Sequence, residues 1–221
     1  MELTTEAVSS MGQNQASRQR MVKYQIEGRG IEDKEVLRAM LTVPRHEFVP
    51  EEFVGQAYDD YPLPIGHGQT ISQPYIVAVM TELLQLGCDS QVLEVGSGSG
   101  YQAAILAQLA EHVYSVEIIE PLCEAARERM ARLGYPNVTV KCGDGFHGWE
   151  EHAPYDGIMV TCAPDHIPQP LIDQLADGGR MVIPVGPSGA YQVLWMVERH
   201  GEKTTSKRLM GVAFVPLTGV H

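Results

Sequence analysis

From Gly87 onward, hydrophobic and polar positions fall into a repeating rhythm in which short β-type runs alternate with longer segments of helical spacing. That rhythm is the pattern of stacked βαβ units around a parallel sheet. Strands are expected at Gln91 to Val95, His112 to Glu117, Val138 to Cys142, Asp156 to Cys162 and Arg180 to Val185. Helices fit between them at Tyr101 to Ala110, Pro121 to Gly134 and Ile167 to Leu175, with Gly178-Gly179 as a stop signal after the last. Two further β-rich stretches, Tyr191 to Arg199 and Leu209 to Leu217, are separated by little more than Gly201 and polar residues, and they predict an antiparallel hairpin at the sheet edge. The expected fold class is α/β, a doubly wound Rossmann-like sheet that is mostly parallel and closes on that hairpin.

Ahead of this pattern the spacing is helical. The run from Lys34 to Leu41 after Asp33 predicts a helix that Pro44 ends, and Pro50, Pro62 and Pro64 then break the chain into loops. A second helix is expected from Pro74 through Ile76, Val77, Met80, Leu83 and Leu84. Residues from about 30 to 87 thus read as a helical cap on the sheet. Residues 1–20 are polar, rich in Ser and Gln and free of apolar periodicity, so a flexible tail or an appended leader is expected there, with Met21 as an alternative start. At 221 residues the chain suits a single domain, read as 21–221.

Composition narrows the function. No apolar stretch reaches the roughly 20 residues of a membrane span, and no basic segment followed by a hydrophobic one opens the chain, so a cytoplasmic protein without membrane contact is expected. The net charge of −12 opposes a broad phosphate-binding surface, which disfavours a nucleic-acid partner. Cys88, Cys123, Cys142 and Cys162 lie far apart, so reduced, partly buried thiols are expected rather than a zinc site or redox dithiol. His46, His67, His147, His152 and His166 have no ligand-like spacing, and no metal is expected.

The strongest chemical signal is the run Val92 to Gly100, a glycine-rich turn directly after an apolar strand and directly before a helix. Glycines there let the backbone approach a ligand, and the helix start presents free N–H groups. Gly96, Gly98 and Gly100 fall at every second position, whereas the dinucleotide fingerprint puts its third glycine one residue later, and no Lys-Ser/Thr pair follows as in a phosphate loop. Pyrophosphate binding is therefore the weaker reading. Glu117 ends the second strand, across the crevice from the turn, where a carboxylate can accept both hydroxyls of a ribose. Asp144-Gly145 after the third strand adds a polar partner at the adenine end, and Glu94 is expected beside a methionine moiety. Several carboxylates suit a cationic sulfonium donor, S-adenosylmethionine, better than a pyrophosphate.

The segment Gly66 to Tyr75 is unlike ordinary linker and resembles the signature of the protein-L-isoaspartate O-methyltransferases, particularly bacterial members. The same family is matched by Leu93 to Tyr101, Gly143 to Gly145, Ala153 to Asp156, Asp177 to Arg180, Pro184 to Gly186 and Phe214 to Leu217. Thr70-Ile71-Ser72 and Val215-Pro216-Leu217 are the specific parts, since the glycine loop is common to most methyltransferases of this fold. The resemblance implies transfer of a methyl group from S-adenosylmethionine to the free α-carboxylate of L-isoaspartyl residues in damaged proteins and peptides, leaving S-adenosylhomocysteine. The resulting ester collapses to a succinimide.

Carried over residue by residue, it gives Ser72 the active-site role and makes Gln69, Thr70 and Ile71 walls of the cofactor or substrate site. Cofactor binding falls to Glu94, Gly96, Ser97, Gly98, Gly100, Glu117, Ile118, Asp144, Gly145, Thr161 and Thr218, and Ile71, Ser72 and Val215 face the substrate. By sequence pattern alone Ser72 also reads as a helix N-cap ahead of Pro74. A monomer is expected. The polar leader and the short stretch after Leu217 depart from the family pattern, the latter implying that contacts from longer C-termini are missing. Competing readings are a methyltransferase of a small molecule or RNA, a non-catalytic S-adenosylmethionine-binding module, and a nicotinamide dehydrogenase, which the glycine spacing opposes.

Overall fold

The computed structural model describes residues 5–187 and 189–219. Its first element, α1 (Thr5–Arg20), corrects the expectation for the leader, because the polar stretch forms a helix that continues into a π-helical turn at Met21–Ile26. Residues 1–4 of that leader lie outside the described part. Met21 and Ile26 are fully buried, and they anchor the junction in the cap's hydrophobic core.

The cap forms as its sequence dictates. In α2 (Lys34–Thr42) the Asp33 carboxylate accepts from the backbone N–H groups of Glu35 and Val36, and Val43 turns extended ahead of Pro44. The segment Arg45–Phe48 brings the fully buried Arg45 guanidinium over the Tyr101 ring, with its Nε donating to the Ala57 carbonyl. Burial lowers the Arg45 pKa to about 10. A small hairpin, β1 (Leu63–Gly66) and β2 (Gln69–Ile71), then leads into α3 (Pro74–Leu84). The loops expected between the two cap helices thus contain a two-stranded sheet, whose turn is made by Gly66-His67-Gly68 with positive φ at all three.

The main sheet has seven strands in the order β5-β4-β3-β6-β7-β8-β9. β3 (Gln91–Val95), β4 (His112–Glu117) and β5 (Val138–Cys142) occupy the residues expected, and β6 (Tyr155–Val160) stops two residues early. β7 (Leu175–Val185) starts five residues early and takes in Gly178-Gly179 at a break in its register with β6, where Leu175 pairs with Tyr155 and Arg180 with Gly157. The glycines were expected to stop a helix; instead α6 (Gln169–Asp173) is only a short turn of helix. β8 (Gln192–His200) and β9 (Lys203–Val212) pair antiparallel, as the closing hairpin requires, but β9 lies earlier and Ala213 to Leu217 leave the sheet.

β3 is buried on both faces, as a central parallel strand must be. Leu93 and Val95 pack with the cluster of Ile158, Leu171 and Met181, while Val92 packs with Ala103 and Leu106 of α4 (Tyr101–Leu106) on the opposite face. The chain leaves β3 toward β4 and β5 on one side and returns to β6 on the other, so the order reverses between β3 and β6. That reversal opens a crevice at the carboxyl ends of the strands.

Cys123 and Cys142 form a disulfide, which corrects the expectation of free thiols. Cys123 sits in the first turn of α5 (Glu120–Leu133) and Cys142 ends β5, a closeness that a gap of 19 residues does not announce. Cys88 and Cys162 remain free. Closing a loop of this size stabilises a fold by about 3 kcal/mol. Cys123→Ser should therefore lower the unfolding free energy by about 2 to 3 kcal/mol. Urea denaturation with and without reductant checks this: reduced wild type should fall to the variant's value, and a variant as stable as oxidised wild type would refute it.

Candidate active site

The glycine turn between β3 and α4 wraps the crevice. Gly96 donates its N–H to the Val116 carbonyl at 2.8 Å, and the Thr161 hydroxyl, arriving from the end of β6, donates to the Gly96 carbonyl at 2.6 Å. Gly96 has φ +96°, and a Cβ there would stand 2.5 Å from Thr161 Oγ1, so no other residue fits without breaking this clasp. Gly100 plays a different part from the one expected. It is the positive-φ N-cap of α4, and a Cβ on it would meet Met130 Cε of α5 at 2.8 Å, so it packs two helices and lies outside the lining of the crevice.

Glu117 ends β4 with both oxygens engaged: Oε2 accepts from Gly98 N–H at 2.8 Å and Oε1 from Ile119 N–H at 2.9 Å. The carboxylate thereby ties the tip of the glycine turn to the loop after β4. Among the described residues it is the only formally charged one in the lining of the chamber formed by the turn, the β1–β2 hairpin and the segment after β9.

Two other carboxylates expected at this chamber lie elsewhere. Glu94 is fully buried, and alternation along β3 sends it to the α4 face with Val92. There it accepts from the Ser115 hydroxyl, while its Oε1 has no partner among the described residues. Burial raises its pKa to about 8, the nearby Glu117 adding to the shift and the Ser115 donor opposing it. Asp144 caps the turn Gly145–His147 by accepting from Phe146 N–H at 2.9 Å, and its carboxylate lies against Gly219. Gly145 faces the chamber in its place.

The remaining expected residues converge. Gln69, Thr70, Ile71 and Ser72 come from the hairpin and the entry to α3; Ser97, Gly98, Ile118, Thr161, Val215 and Thr218 complete the same wall. The N-cap of α3 is Gln73, with no side-chain capping bond, so among the described residues the Ser72 hydroxyl is not spent on capping. The segment carrying Val215 is clamped against the loop after β6, with Ala163 N–H donating to Val215 O at 2.8 Å and Leu217 N–H to Ala163 O at 2.9 Å. Residues 220 and 221 lie outside the described part, and with them the expectation about the short C-terminus.

Sequence reasoning missed Tyr101, Gln102 and Cys162, which also line the chamber. The first two stand at the start of α4, directly behind the glycine turn, and position alone could have marked them. Burial pushes the Cys162 thiol well up, which keeps it neutral.

The chamber and a second groove beside it span about 740 and 1140 Å³, open solvent at their mouths included. Thr70, Ser72, Thr161 and Val215 line both. The two spaces therefore share a wall, and Ser72 is part of it. The chamber suits a nucleoside with a cationic sulfonium: it offers backbone N–H groups, one carboxylate for a diol or a positive charge, and no Lys or Arg for a pyrophosphate.

Comparison with known proteins agrees with this geometry. The family model described as protein-L-isoaspartate(D-aspartate) O-methyltransferase matches residues 16–221. The chain is 61% identical over 190 residues to protein-L-isoaspartate O-methyltransferase 2 of Syntrophobacter fumaroxidans, covering 86% of this chain and 77% of that one. It is 54% identical over 204 residues to the Picosynechococcus enzyme of that name, covering 92% and 91%. Among solved structures, a protein-L-isoaspartate O-methyltransferase superposes with a TM-score of 0.84 at 30% identity, over 91% of this chain and 66% of that one. A Plasmodium falciparum relative in complex with S-adenosyl-L-homocysteine superposes with a TM-score of 0.76 at 26% identity, over 93% and 98%.

Proposed function

Since the chain belongs to the protein-L-isoaspartate(D-aspartate) O-methyltransferase family, we propose that it methylates the free α-carboxylate of L-isoaspartyl residues, with S-adenosylmethionine in the chamber and the damaged peptide in the groove. The observation that carries this reading is the shared wall, where Thr70, Ser72, Thr161 and Val215 face both spaces. When bound, S-adenosylmethionine supplies a methyl group on a positively charged sulfur. Backbone N–H groups of the glycine turn and the Glu117 carboxylate would hold its polar end.

The peptide nucleophile is a carboxylate, ionised near neutral pH without help, so the protein has no proton to remove. Its task is alignment, and holding reacting atoms in line supplies several kcal/mol of the barrier. In this reading the Ser72 hydroxyl donates to one carboxylate oxygen and aims the other at the methyl carbon. The carbon–oxygen bond forms as the carbon–sulfur bond breaks, and the electron pair returns to sulfur. In this reading the β1–β2 hairpin and Val215 to Leu217, which line the crevice, would limit the access of water to that line.

Labelled methyl transfer to an isoaspartyl peptide and to its aspartyl twin tests the function. Label should enter only the isoaspartyl peptide and be lost in mild base, as carboxyl methyl esters are. Base-stable label, or equal label on both, would overturn it. Ser72→Ala should lower turnover roughly ten- to a thousandfold with cofactor affinity and fold unchanged. Undiminished turnover would remove Ser72 from the mechanism. We further propose a cytoplasmic monomer that acts without nucleic acid, a reading supported on the last point by the net charge of −12. Among the described residues no helix is long and apolar enough to cross a membrane.

A further inference from the structure

Among the described residues that line the substrate groove one is formally charged, and it is a cation, Arg29. In a chain of net charge −12, a guanidinium lining the same groove as Ser72 calls for an explanation. Arg29 ends the short helical turn Glu27–Arg29, and its guanidinium lies 3.4 Å from the centre of the Tyr75 ring. One nitrogen, Nη1, bonds Asp60 Oδ2 at 2.7 Å. Asp60 is itself held by Gln73, whose Nε2 donates to the Asp60 carbonyl at 3.0 Å.

Gln73 and Tyr75 belong to the entry of α3, immediately after Ser72. The guanidinium is thus fixed on two sides, stacked on an aromatic face and clamped by a carboxylate, on the same turn that presents the active-site serine. Of the planar fork of five N–H donors that an arginine carries, Asp60 takes only the Nη1 end, and among the described residues the rest has no bonded partner.

Resting on the isoaspartyl reading above, we propose that Arg29 is the specificity-determining cation of the groove, which recognises the negative charge of the isoaspartyl carboxylate as the peptide enters. The electrostatic asymmetry supports this role. Among the described residues the donor chamber is lined by one carboxylate, Glu117, and the groove by one cation, Arg29, whose ion pair with Asp60 engages one end and leaves its other N–H donors to favour an anionic ligand over a cationic one. The same arrangement favours turnover in one direction, since methylation turns the carboxylate into a neutral ester and removes the charge Arg29 holds. Exchange of product for fresh substrate follows from that loss.

The test compares wild type, Arg29→Ala and Arg29→Lys on an isoaspartyl peptide, with the matching α-carboxamide peptide as a competitive inhibitor. Arg29→Ala should raise KM for the isoaspartyl peptide ten- to a hundredfold at low salt while kcat stays within about threefold, and the difference should shrink at 0.5 M salt as the charge is screened. Inhibition by the neutral carboxamide peptide should be the same for wild type and Arg29→Ala. Arg29→Lys, which keeps the charge, should recover most of the lost affinity. Affinity for S-adenosylhomocysteine should be equal in all three proteins, which also reports that each is folded.

A KM unchanged in Arg29→Ala, or equal weakening of the charged and the neutral peptide, would overturn the assignment. Lack of methyl transfer by wild type to any isoaspartyl peptide would instead overturn the activity on which it rests.

Discussion

Glu117→Ala should weaken S-adenosylmethionine binding by about 2 to 4 kcal/mol, roughly thirty- to a thousandfold, because the carboxylate has two tasks. It accepts from Gly98 and Ile119 N–H groups and so holds both edges of the chamber in place before any ligand arrives. It also supplies the only formal charge among the described residues that line the chamber. A carboxylate oxygen accepts more than one hydrogen bond, so contacts to a ribose diol need not displace the backbone donors. Alanine removes the ligand contact and releases the glycine turn together. Glu117→Gln, which keeps one acceptor oxygen, should lose less than alanine. Calorimetric titration with S-adenosylhomocysteine reads both variants, and wild-type affinity in Glu117→Ala would refute the assignment.

How much of this was legible in the sequence follows from burial. β3, β4 and β5 lie where their apolar runs put them, because the central strands are covered on both faces and their composition leaves little choice. β9 begins in the polar run Lys203 to Ser206, exposed at the sheet edge, where no apolar alternation marks a strand. β7 includes Asp177-Gly178-Gly179, residues that argue for a turn, and they sit in an irregularity where the register with β6 jumps from Leu175 to Arg180, so the strand resumes beyond them. The β1–β2 hairpin is too short for periodicity to reveal, though its Gly66-His67-Gly68 turn was visible as an odd linker. The disulfide needed three-dimensional proximity.

For the site, most residues named from the glycine turn, the Thr70-Ile71-Ser72 motif and the Val215 segment line one chamber. The exceptions have specific causes. Gly100 is required by helix packing, Asp144 by a turn it caps, and Glu94 by the side of β3 on which its position places it. That last exception was readable: Glu94 is an even step from Val92, and residues two apart share a face of a strand. Nothing comparable marked Arg29. Its place in the groove depends on Tyr75 and Asp60, which are 46 and 31 positions away and meet it only when the cap folds onto α3.

Glu94 makes the second large effect a pH dependence of stability. Burial raises its carboxyl from the ordinary value of 4.5 to about 8, whereas in the unfolded chain it returns to the ordinary value. Between those two pH values the folded protein therefore binds a proton that the unfolded chain has lost, and stability must fall as pH rises. The contribution is complete below about pH 4.5 and gone above about pH 8, declining by about 1.4 kcal/mol per pH unit between them. Glu94→Gln is neutral at every pH and can still accept from Ser115, so it should remove this decline. Against wild type the variant should be more stable by about 3 to 5 kcal/mol at pH 8 and nearly equal at pH 4.5. Urea unfolding across that range measures the difference, and parallel curves for the two proteins would sink the argument. The same variant separates the buried position from a place beside the donor's methionine group. A side chain turned away from the chamber predicts affinity for S-adenosylhomocysteine within threefold of wild type, whereas a direct ligand contact predicts a much larger loss without the gain in stability.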